Sequence, residues 1–384
     1  MPLTAYSVSE GKELDVEQVL LALSAKHGVK IPTSTEQIPD SWREHIRVDI
    51  ECPSCFVTGA EIVKEATSRT TSRKVRQACF RFVSPGHRQQ CDFAADDASN
   101  VTPETAVQFG AANSVLTRAI RDLVCAGIHK AVFDQKTIRD MREWFFNKKL
   151  ESTFLVSLDP RLPKWVNNLT RLEHGTFGQL PESVALTTEI ASLPGFDWKA
   201  EATRILIQRH RDAYEAIRKN WLWSFSIAER VESLAKRYQG QFAFDPTALK
   251  HEFDLSISLA EFIHHNHVPI SQLTRKPGTA VPAHLLAFSA LLLFVNAWDM
   301  KRAVDDFVTI SASLGQAEND LGNLIGLNPF HDYKAWEKLK QLQVANLNVP
   351  LDVDLLTERQ SLVQELQAHY HVKHTRDIGR PVVA

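Results

Sequence analysis

Apolar positions follow a helical period in the first part of the chain. Over "ELDVEQVLLALSAKHG" (13–28) they recur three and four residues apart, which predicts one amphipathic helix ending at Gly28. In "HIRVDIE" (45–51) apolar and polar residues alternate, and that period predicts a short strand. The spacing thus predicts a helix first and a β-rich region from about residue 45.

Two further segments, 60–67 and 73–84, have strand-like composition and are joined by the polar turn "SRTTS". They are followed by "PGHRQQCDF" (85–93), a turn opened by Pro-Gly. After "AADDASNVTPE" (94–104) the apolar spacing is mostly helical to the end of the chain. The predicted helices cover 105–128, 137–150, 198–219, 224–239, 246–264, 282–314 and 355–370.

This pattern predicts a mainly α protein of the α+β class, in which a small zinc-bound β unit precedes a large helical domain. We expect three segments: an N-terminal helical segment (1–44), a zinc-binding β unit (45–100) and a helical domain (101–384). The last segment is a candidate for division near 157–195, where prolines interrupt the helical pattern.

Composition narrows the function classes. The chain of 384 residues has a formal net charge of −2, so any nucleic-acid surface must be a local patch. Its five cysteines are odd in number and clustered, unlike a secreted disulfide framework. The N-terminus lacks a signal-peptide pattern, and the apolar stretch 281–298 has too short an uninterrupted core for a membrane span. We therefore expect a cytoplasmic protein that makes no membrane contact.

The only C-x-x-C in the chain is Cys52–Cys55, and His87 and Cys91 form a second pair after 31 intervening residues. Structural zinc sites use four such ligands, commonly a C-x-x-C knuckle and a second pair. We predict Zn²⁺, in a structural role, on Cys52, Cys55, His87 and Cys91. Cys79, inside a predicted strand, is the reserve ligand in place of His87.

Two other interpretations of the cysteines stay open at this point. A redox C-x-x-C is expected at a strand-to-helix junction, whereas here a glycine and β-type residues follow the motif. The cysteines can also be unligated small apolar residues.

The segments "ECPSC" and "QACFRFVSPGHRQQCDFA" resemble the zinc-finger-like N-terminal module of competence CoiA-like proteins. The resemblance covers about a tenth of the chain and implies a zinc site and a bacterial or mobile-element (antiviral) defence accessory. Phe82 stands where that family often has a histidine, so His87 would take over as ligand. The family often continues into a restriction-endonuclease-like domain, which has no counterpart here, so nuclease activity is not carried over.

Basic residues are concentrated between the two cysteine pairs. Seven lie between Lys64 and Arg88, where Glu65 is the one acidic residue. A basic hairpin beside a zinc knuckle suits phosphate contact, although a solvated basic face without a nucleic-acid partner is an equal alternative. The predicted DNA- or RNA-binding residues are Arg69, Arg73, Lys74, Arg76, Arg81 and Arg88.

Candidate catalytic groups are sparse. Asp197-Trp198-Lys199 with Asp159 upstream is the best acidic pattern for a metal-dependent nuclease, but Asp197 also reads as a helix N-cap. Glu261, His264, His265 and His267 gather in "EFIHHNHV" without a second Glu/His pair elsewhere. We therefore expect no enzyme, and we assign no catalytic residue.

The preferred function is zinc-stabilised binding of nucleic acid or assembly of a complex. The alternatives are a nuclease with a divergent acidic site and a purely protein-binding scaffold. The helical domain is the candidate surface for protein partners, and "NWLWSF" (220–225) is an aromatic segment typical of a core or an interface.

Overall fold

The structure is a computed structural model. It describes residues 2–32, 35–67, 74–76, 78–88, 91, 93, 115–174, 184–219, 227–273, 281–315 and 329–370. Helices dominate this part of the chain, and the strands form small antiparallel pairings. The mainly α, α+β class predicted from the sequence is confirmed.

The strands in the described residues are β1 (Thr4–Ser7), β2 (Lys12–Asp15), β3 (Ile50–Glu51), β4 (Ala60–Val63), β5 (Ala66–Thr67), β6 (Lys74–Arg76), β7 (Cys79–Phe82), β8 (Thr153–Leu155) and β9 (Phe242–Phe244). The α-helices are α1 (Val16–His27), α2 (Asp40–Asp49), α3 (Val115–His129), α4 (Gln135–Glu151), α5 (Leu162–His174), α6 (Thr188–Ala191), α7 (Trp198–Arg209), α8 (Arg211–Lys219), α9 (Ala228–Tyr238), α10 (Lys250–Asn266), α11 (Val268–Leu273), α12 (Ala283–Val295), α13 (Met300–Ser311), α14 (Tyr333–Ala345) and α15 (Leu355–His369).

The chain divides into two compact units, and each is discontinuous in sequence. The first comprises Met1–Thr153 and Pro246–His331, and the second comprises Phe154–Asp245 and Asp332–Ala384. In the first unit α12 packs against α10 and α13, and α3 contacts α11, α12 and α13. In the second unit α15 packs on α7, and α9 lies against α5 and α14.

The strand predicted over 45–51 is wrong for most of its length. Residues up to Asp49 belong to α2, and only Ile50–Glu51 form a strand. The reason is a second apolar period, because Trp42 and Ile46 lie one turn apart and are both buried, while Val48 is 68% exposed. Burial of the i, i+4 pair outweighs the alternating pattern, as the tertiary context of short segments often does.

Several other predicted elements lie close to the observed ones, but each strand predicted over 60–67 and 73–84 is divided into two, β4 with β5 and β6 with β7. The first helix is confirmed, with Asp15 as an N-cap in a capping box with Gln18 and Gly28 in the left-handed conformation at its end. The helices predicted over 198–219 and 282–314 are each broken, at His210 and at 296–299. The first part of the helix predicted over 105–128 lies outside the described residues.

The apolar stretch 281–298 forms α12 and the first residues after it, and α13 follows from Met300. No single helix among the described residues is long and apolar enough to cross a membrane. Only taken together do α12 and α13 pass that test, and they are bent by 115° at their junction.

The N-terminal part of the first unit builds the environment of the cysteines. β1 pairs with β2 and β3, and β4 pairs with β7 so that Ala60 faces Phe82 and Val63 faces Cys79. Their apolar side chains join those of α1 and α2 in one buried cluster that includes Phe80 and three of the cysteines. The cysteine region is therefore part of a packed core.

Candidate metal centre

The first pair of predicted ligands lies on a tight loop between β3 and β4. The backbone N–H of Cys52 donates to the carbonyl of Val57 at 2.9 Å, and the N–H of Phe56 donates back to the carbonyl of Cys52 at 2.9 Å. These two hydrogen bonds close the loop over six residues. Two intervening residues then allow the thiols of Cys52 and Cys55 to point the same way.

The second pair lies in the turn that follows β7. The backbone N–H of Cys91 donates to the carbonyl of Arg88 at 3.1 Å, and the N–H of Phe93 donates to the Cys91 Sγ at 3.4 Å. The imidazole of His87 packs against two aromatic rings. Its centroid lies 5.4 Å from that of Phe82 and 6.5 Å from that of Phe93. The turn thereby fixes both the thiol and the imidazole.

The four ligand atoms converge. The Sγ atoms of Cys52, Cys55 and Cys91 and a ring nitrogen of His87 all lie within 4.8 Å of one another. The Cys52 and Cys91 Sγ atoms are 3.8 Å apart, and His87 Nδ1 lies 3.6 Å from the Cys55 Sγ and 3.3 Å from the Cys91 Sγ.

These distances suit one tetrahedral ion. With metal–sulfur bonds of about 2.3 Å and metal–nitrogen bonds of about 2.0–2.1 Å, tetrahedral geometry separates two thiolates by about 3.8 Å and a thiolate from an imidazole nitrogen by about 3.5 Å. A disulfide would need sulfur atoms about 2.05 Å apart, and all three cysteines are free thiols. The group could therefore hold a single metal ion.

The three thiols are shielded from water, and His87 is half-buried. Cys52 and Cys55 are 0% exposed and Cys91 is 5% exposed. Burial raises the pKa of the Cys52 thiol well above its usual range, whereas hydrogen bonds from Cys52 and Cys91 lower the pKa of Cys55. The raised pKa of Cys52 opposes simultaneous ionisation of the three thiols, and a bound cation would compensate the charge of the three thiolates.

The converging group contains His87 and not the reserve ligand Cys79. Cys79 is buried in β7, opposite Val63 of β4. Its neighbours Phe80 and Phe82 are also buried, while Arg81 is exposed. Cys79 therefore belongs to the packed part of the strand pair.

The predicted nucleic-acid-binding residues are placed only in part. Arg69 and Arg73 lie outside the described residues, and Lys74 and Arg76 lie on β6, where only the backbone is described. Arg88 is exposed beside the ligand His87. The four located positions thus lie on β6, on β7, which carries Arg81, and on the turn that carries the second ligand pair.

Carboxylates from outside the basic segment 64–88 compensate part of its positive charge. Arg81 forms an ion pair of 2.7 Å with Glu61, directly opposite it across the β4–β7 pair. Lys64 pairs with Glu36 at 3.1 Å, and both carboxylates come from outside the segment 64–88. The expectation of a nearly uncompensated basic segment is therefore wrong at these two positions.

The acidic candidates for a nuclease have structural partners. The carboxylate of Asp197 accepts a hydrogen bond from the Ala200 N–H at 2.9 Å and caps α7, as its sequence context predicted. Asp159 pairs with Arg161 at 2.8 Å, and this guanidinium lowers the pKa of Asp159. Both carboxylates lie in the second unit, and each has a local role.

The histidines near the end of α10 do not form a ligand group. The Nδ1 of His265 bonds the backbone carbonyl of Glu261 at 2.7 Å, and the ring of His267 packs against Phe307, with centroids 5.6 Å apart. Within the described residues, Cys52, Cys55, His87 and Cys91 are the group whose ligand atoms converge. The aromatic segment 220–225 lies outside the described part of the chain.

Residues around the knuckle that sequence reasoning missed are Glu51, Phe56 and Arg139. Glu51 and Phe56 directly flank the C-x-x-C and could have been suspected from that position. Arg139 of α4 forms an ion pair of 2.8 Å with Glu51 and lies over the ring of Phe56. It is 88 residues from Glu51 along the chain, so no local sequence pattern indicates this contact.

Comparison of the chain with protein-family models, with curated proteins and with solved structures finds no match. The resemblance to competence CoiA-like proteins therefore stays a prediction.

Proposed function

We propose that the first unit contains a structural zinc module that presents a basic hairpin to nucleic acid. The observation that carries the proposal is the convergence of three thiols and one imidazole nitrogen within 4.8 Å of one another. Four protein ligands leave no open position for substrate, and this closed set is typical of structural rather than catalytic zinc. Three thiolates and an imidazole also match the ligand preference of Zn²⁺ over Mg²⁺ or Ca²⁺.

The position of the hairpin supports the second half of the proposal. β5 and β6 pair antiparallel between the two ligand pairs in the chain. Lys74 and Arg76 lie on β6, and Arg69 and Arg73 fall between the two strands in the sequence. A metal that ties the segments 52–55 and 87–91 together would also fix the base of this hairpin. Phosphate contact requires such a fixed array of cations to bind in a defined register.

The ion pairs of Arg81 and Lys64 sharpen the residue assignment. Because a carboxylate already neutralises each of them, we expect them to contribute less to phosphate binding than the other basic residues. The contact residues we favour are Arg69, Arg73, Lys74, Arg76 and Arg88.

Fluorescence anisotropy with labelled single-stranded DNA, duplex DNA and RNA tests this function. Alanine at Arg69, Arg73, Lys74 and Arg76 should abolish most binding and flatten its salt dependence by about four phosphate contacts. The matched control removes the same charge at exposed lysines elsewhere and should bind as the wild type does: Lys26, Lys164, Lys236 and Lys301.

The measurement separates the two parts of the proposal. Two results together would retain the structural zinc and exclude the basic hairpin as the nucleic-acid interface. These are a zinc content of about one ion per chain and equal nucleic-acid affinity in the two quadruple variants. Absence of zinc from the purified protein would remove the module itself. Cleavage of the labelled strands by wild-type protein in Mg²⁺ would favour the nuclease alternative instead.

A further inference from the structure

Arg139 of α4 contacts both residues that flank the C-x-x-C loop. Glu51 directly precedes Cys52, and its Oε2 accepts a hydrogen bond from Arg139 Nε at 2.8 Å. Phe56 directly follows Cys55, and the guanidinium carbon of Arg139 lies 5.0 Å from the centroid of its ring. One side chain thus holds the entry and the exit of the loop.

The guanidinium is itself firmly held. Its Nη1 donates to Glu143, one turn further along α4, at 2.7 Å, and its carbon lies 5.4 Å from the centre of the Tyr6 ring on β1. The side chain of Arg139 is only 18% exposed, so its charged hydrogen bonds are less screened than those at the surface. The planar guanidinium of Arg139 is thus contacted by two carboxylates and two aromatic rings.

Phe56 needs such support because its backbone is strained. It adopts φ of 59°, in the left-handed region that costs a residue with a Cβ about 1–2 kcal/mol. The ring is buried and also meets Phe146 of α4 edge-on, with centroids 6.2 Å apart. A strained conformation persists only where its surroundings over-determine it, and here α4 supplies them.

We propose that Arg139 is a positioning residue of the metal centre, which holds the Cys52–Cys55 loop in its ligating conformation from outside the coordination sphere. This inference rests on the proposed metal site. Residues that orient metal ligands without touching the metal typically change affinity about 10- to 100-fold when they are replaced.

Competition between the protein and a chromophoric chelator for Zn²⁺ measures the effect. Arg139→Ala should weaken zinc binding about 10- to 100-fold. Arg139→Lys should recover only part of the loss, since it keeps the charge without the planar fork. The matched control is Lys136→Ala, on the same helix, where an exposed lysine pairs with Asp140; it should bind zinc as the wild type does.

The spectrum of the Co²⁺-substituted protein distinguishes positioning from general stabilisation. A positioning role shifts the thiolate-to-cobalt charge-transfer and ligand-field bands of Arg139→Ala, whereas a merely stabilising residue would lower its melting temperature and leave these bands in place. Should Arg139→Ala fail to fold, Glu51→Gln removes the negative charge of one contact and Phe56→Leu removes the aromatic ring of the other, and each should weaken zinc binding several-fold.

The outcomes are separable from those of the proposed function. A wild-type protein that binds neither ion would overturn the metal site and this inference together. The role of Arg139 alone would be overturned, with the metal site intact, if Arg139→Ala showed wild-type zinc affinity and an unchanged cobalt spectrum. If Arg139→Ala does not fold, the same result in both Glu51→Gln and Phe56→Leu would overturn it.

Discussion

Two regions of the first unit concentrate histidine with other metal-ligating residues, and they differ in how the fold uses them. Around Cys52, four potential ligands come from the loop after β3 and from the turn after β7, and their ligand atoms lie within 4.8 Å. At the end of α10, four potential ligands fall within seven residues of one helix terminus, yet the His265 ring bonds a carbonyl of its own helix and the His267 ring packs on Phe307.

The difference shows that closeness in sequence is a poor guide to a metal site. Residues three or four apart on one helix, such as Glu261 and His264, share a face, but they can approach an ion from one side only. Ligands from two separate segments can surround an ion from several sides when the core between them is packed. The cysteine region has that core, built by Phe80, Phe82 and their neighbours.

Removing a ligand from the first region should have the largest effect. Cys55→Ser should eliminate zinc binding and destabilise the module by more than about 4 kcal/mol, because the free energy of metal binding is free energy of folding in small metal modules. The measurement is zinc content together with hydrogen exchange of β4 and β7. His265→Ala is the control from the second region and should change neither; equal zinc content in Cys55→Ser and the wild type would break the comparison.

Adding a methyl group behind the second ligand pair should have the next largest effect. Gly59 has φ of 91°, and a Cβ there would lie 2.4 Å from the backbone carbonyl oxygen of Ser84. Because that carbonyl opens the turn that carries His87, we expect Gly59→Ala to cost about 2–4 kcal/mol and to weaken zinc binding.

Gly11→Ala is the matched control, since Gly11 has φ of 65° with open space around it. The backbone strain alone should cost about 1–2 kcal/mol and leave zinc affinity unchanged. Chemical denaturation and chelator competition on both variants make the comparison. Equal zinc affinity in the two variants would mean that the turn is not held by its contact with Gly59.

Substitutions of Asp197 should have a smaller effect on stability, and they test whether this residue of the second unit has only a structural role. Asp197→Ala removes the cap of α7 and should destabilise that unit by about 1 kcal/mol, whereas Asp197→Asn should retain the cap. Thermal unfolding measures both. A Mg²⁺-dependent nuclease activity that both substitutions abolish, although only alanine lowers stability, would show that Asp197 has a chemical role after all.

The sequence predicted this fold to the extent that local patterns determine it. The helix ending at Gly28 follows from its apolar spacing and its caps, and Cys52, Cys55, His87 and Cys91 follow from ligand spacing. Three features depend on long-range packing and escaped prediction: burial of Trp42 and Ile46 extends α2 into a predicted strand, residues 246–331 join the first unit, and Arg139 reaches the knuckle from α4.

The smallest predicted effect concerns the pH dependence of the second region. Burial lowers the pKa of His267 below its ordinary value of about 6.5, and its Nδ1 is buried without a hydrogen-bond partner among the described residues. The unfolded chain therefore binds more protons than the folded one below pH of about 6.5, so stability is complete above that pH and falls as the pH decreases.

Replacement of His267 by glutamine should make stability between pH 7 and 5 less dependent on pH, as measured by urea unfolding at each pH. Some dependence should remain, because burial also lowers the pKa of His284 in the same unit. His265→Gln, at an exposed neighbour that bonds a helix carbonyl, is the control and should keep the wild-type slope. An unchanged slope in the His267 variant would show that the ring accepts a proton in the folded state, and the region would then resemble a surface cluster rather than part of the core.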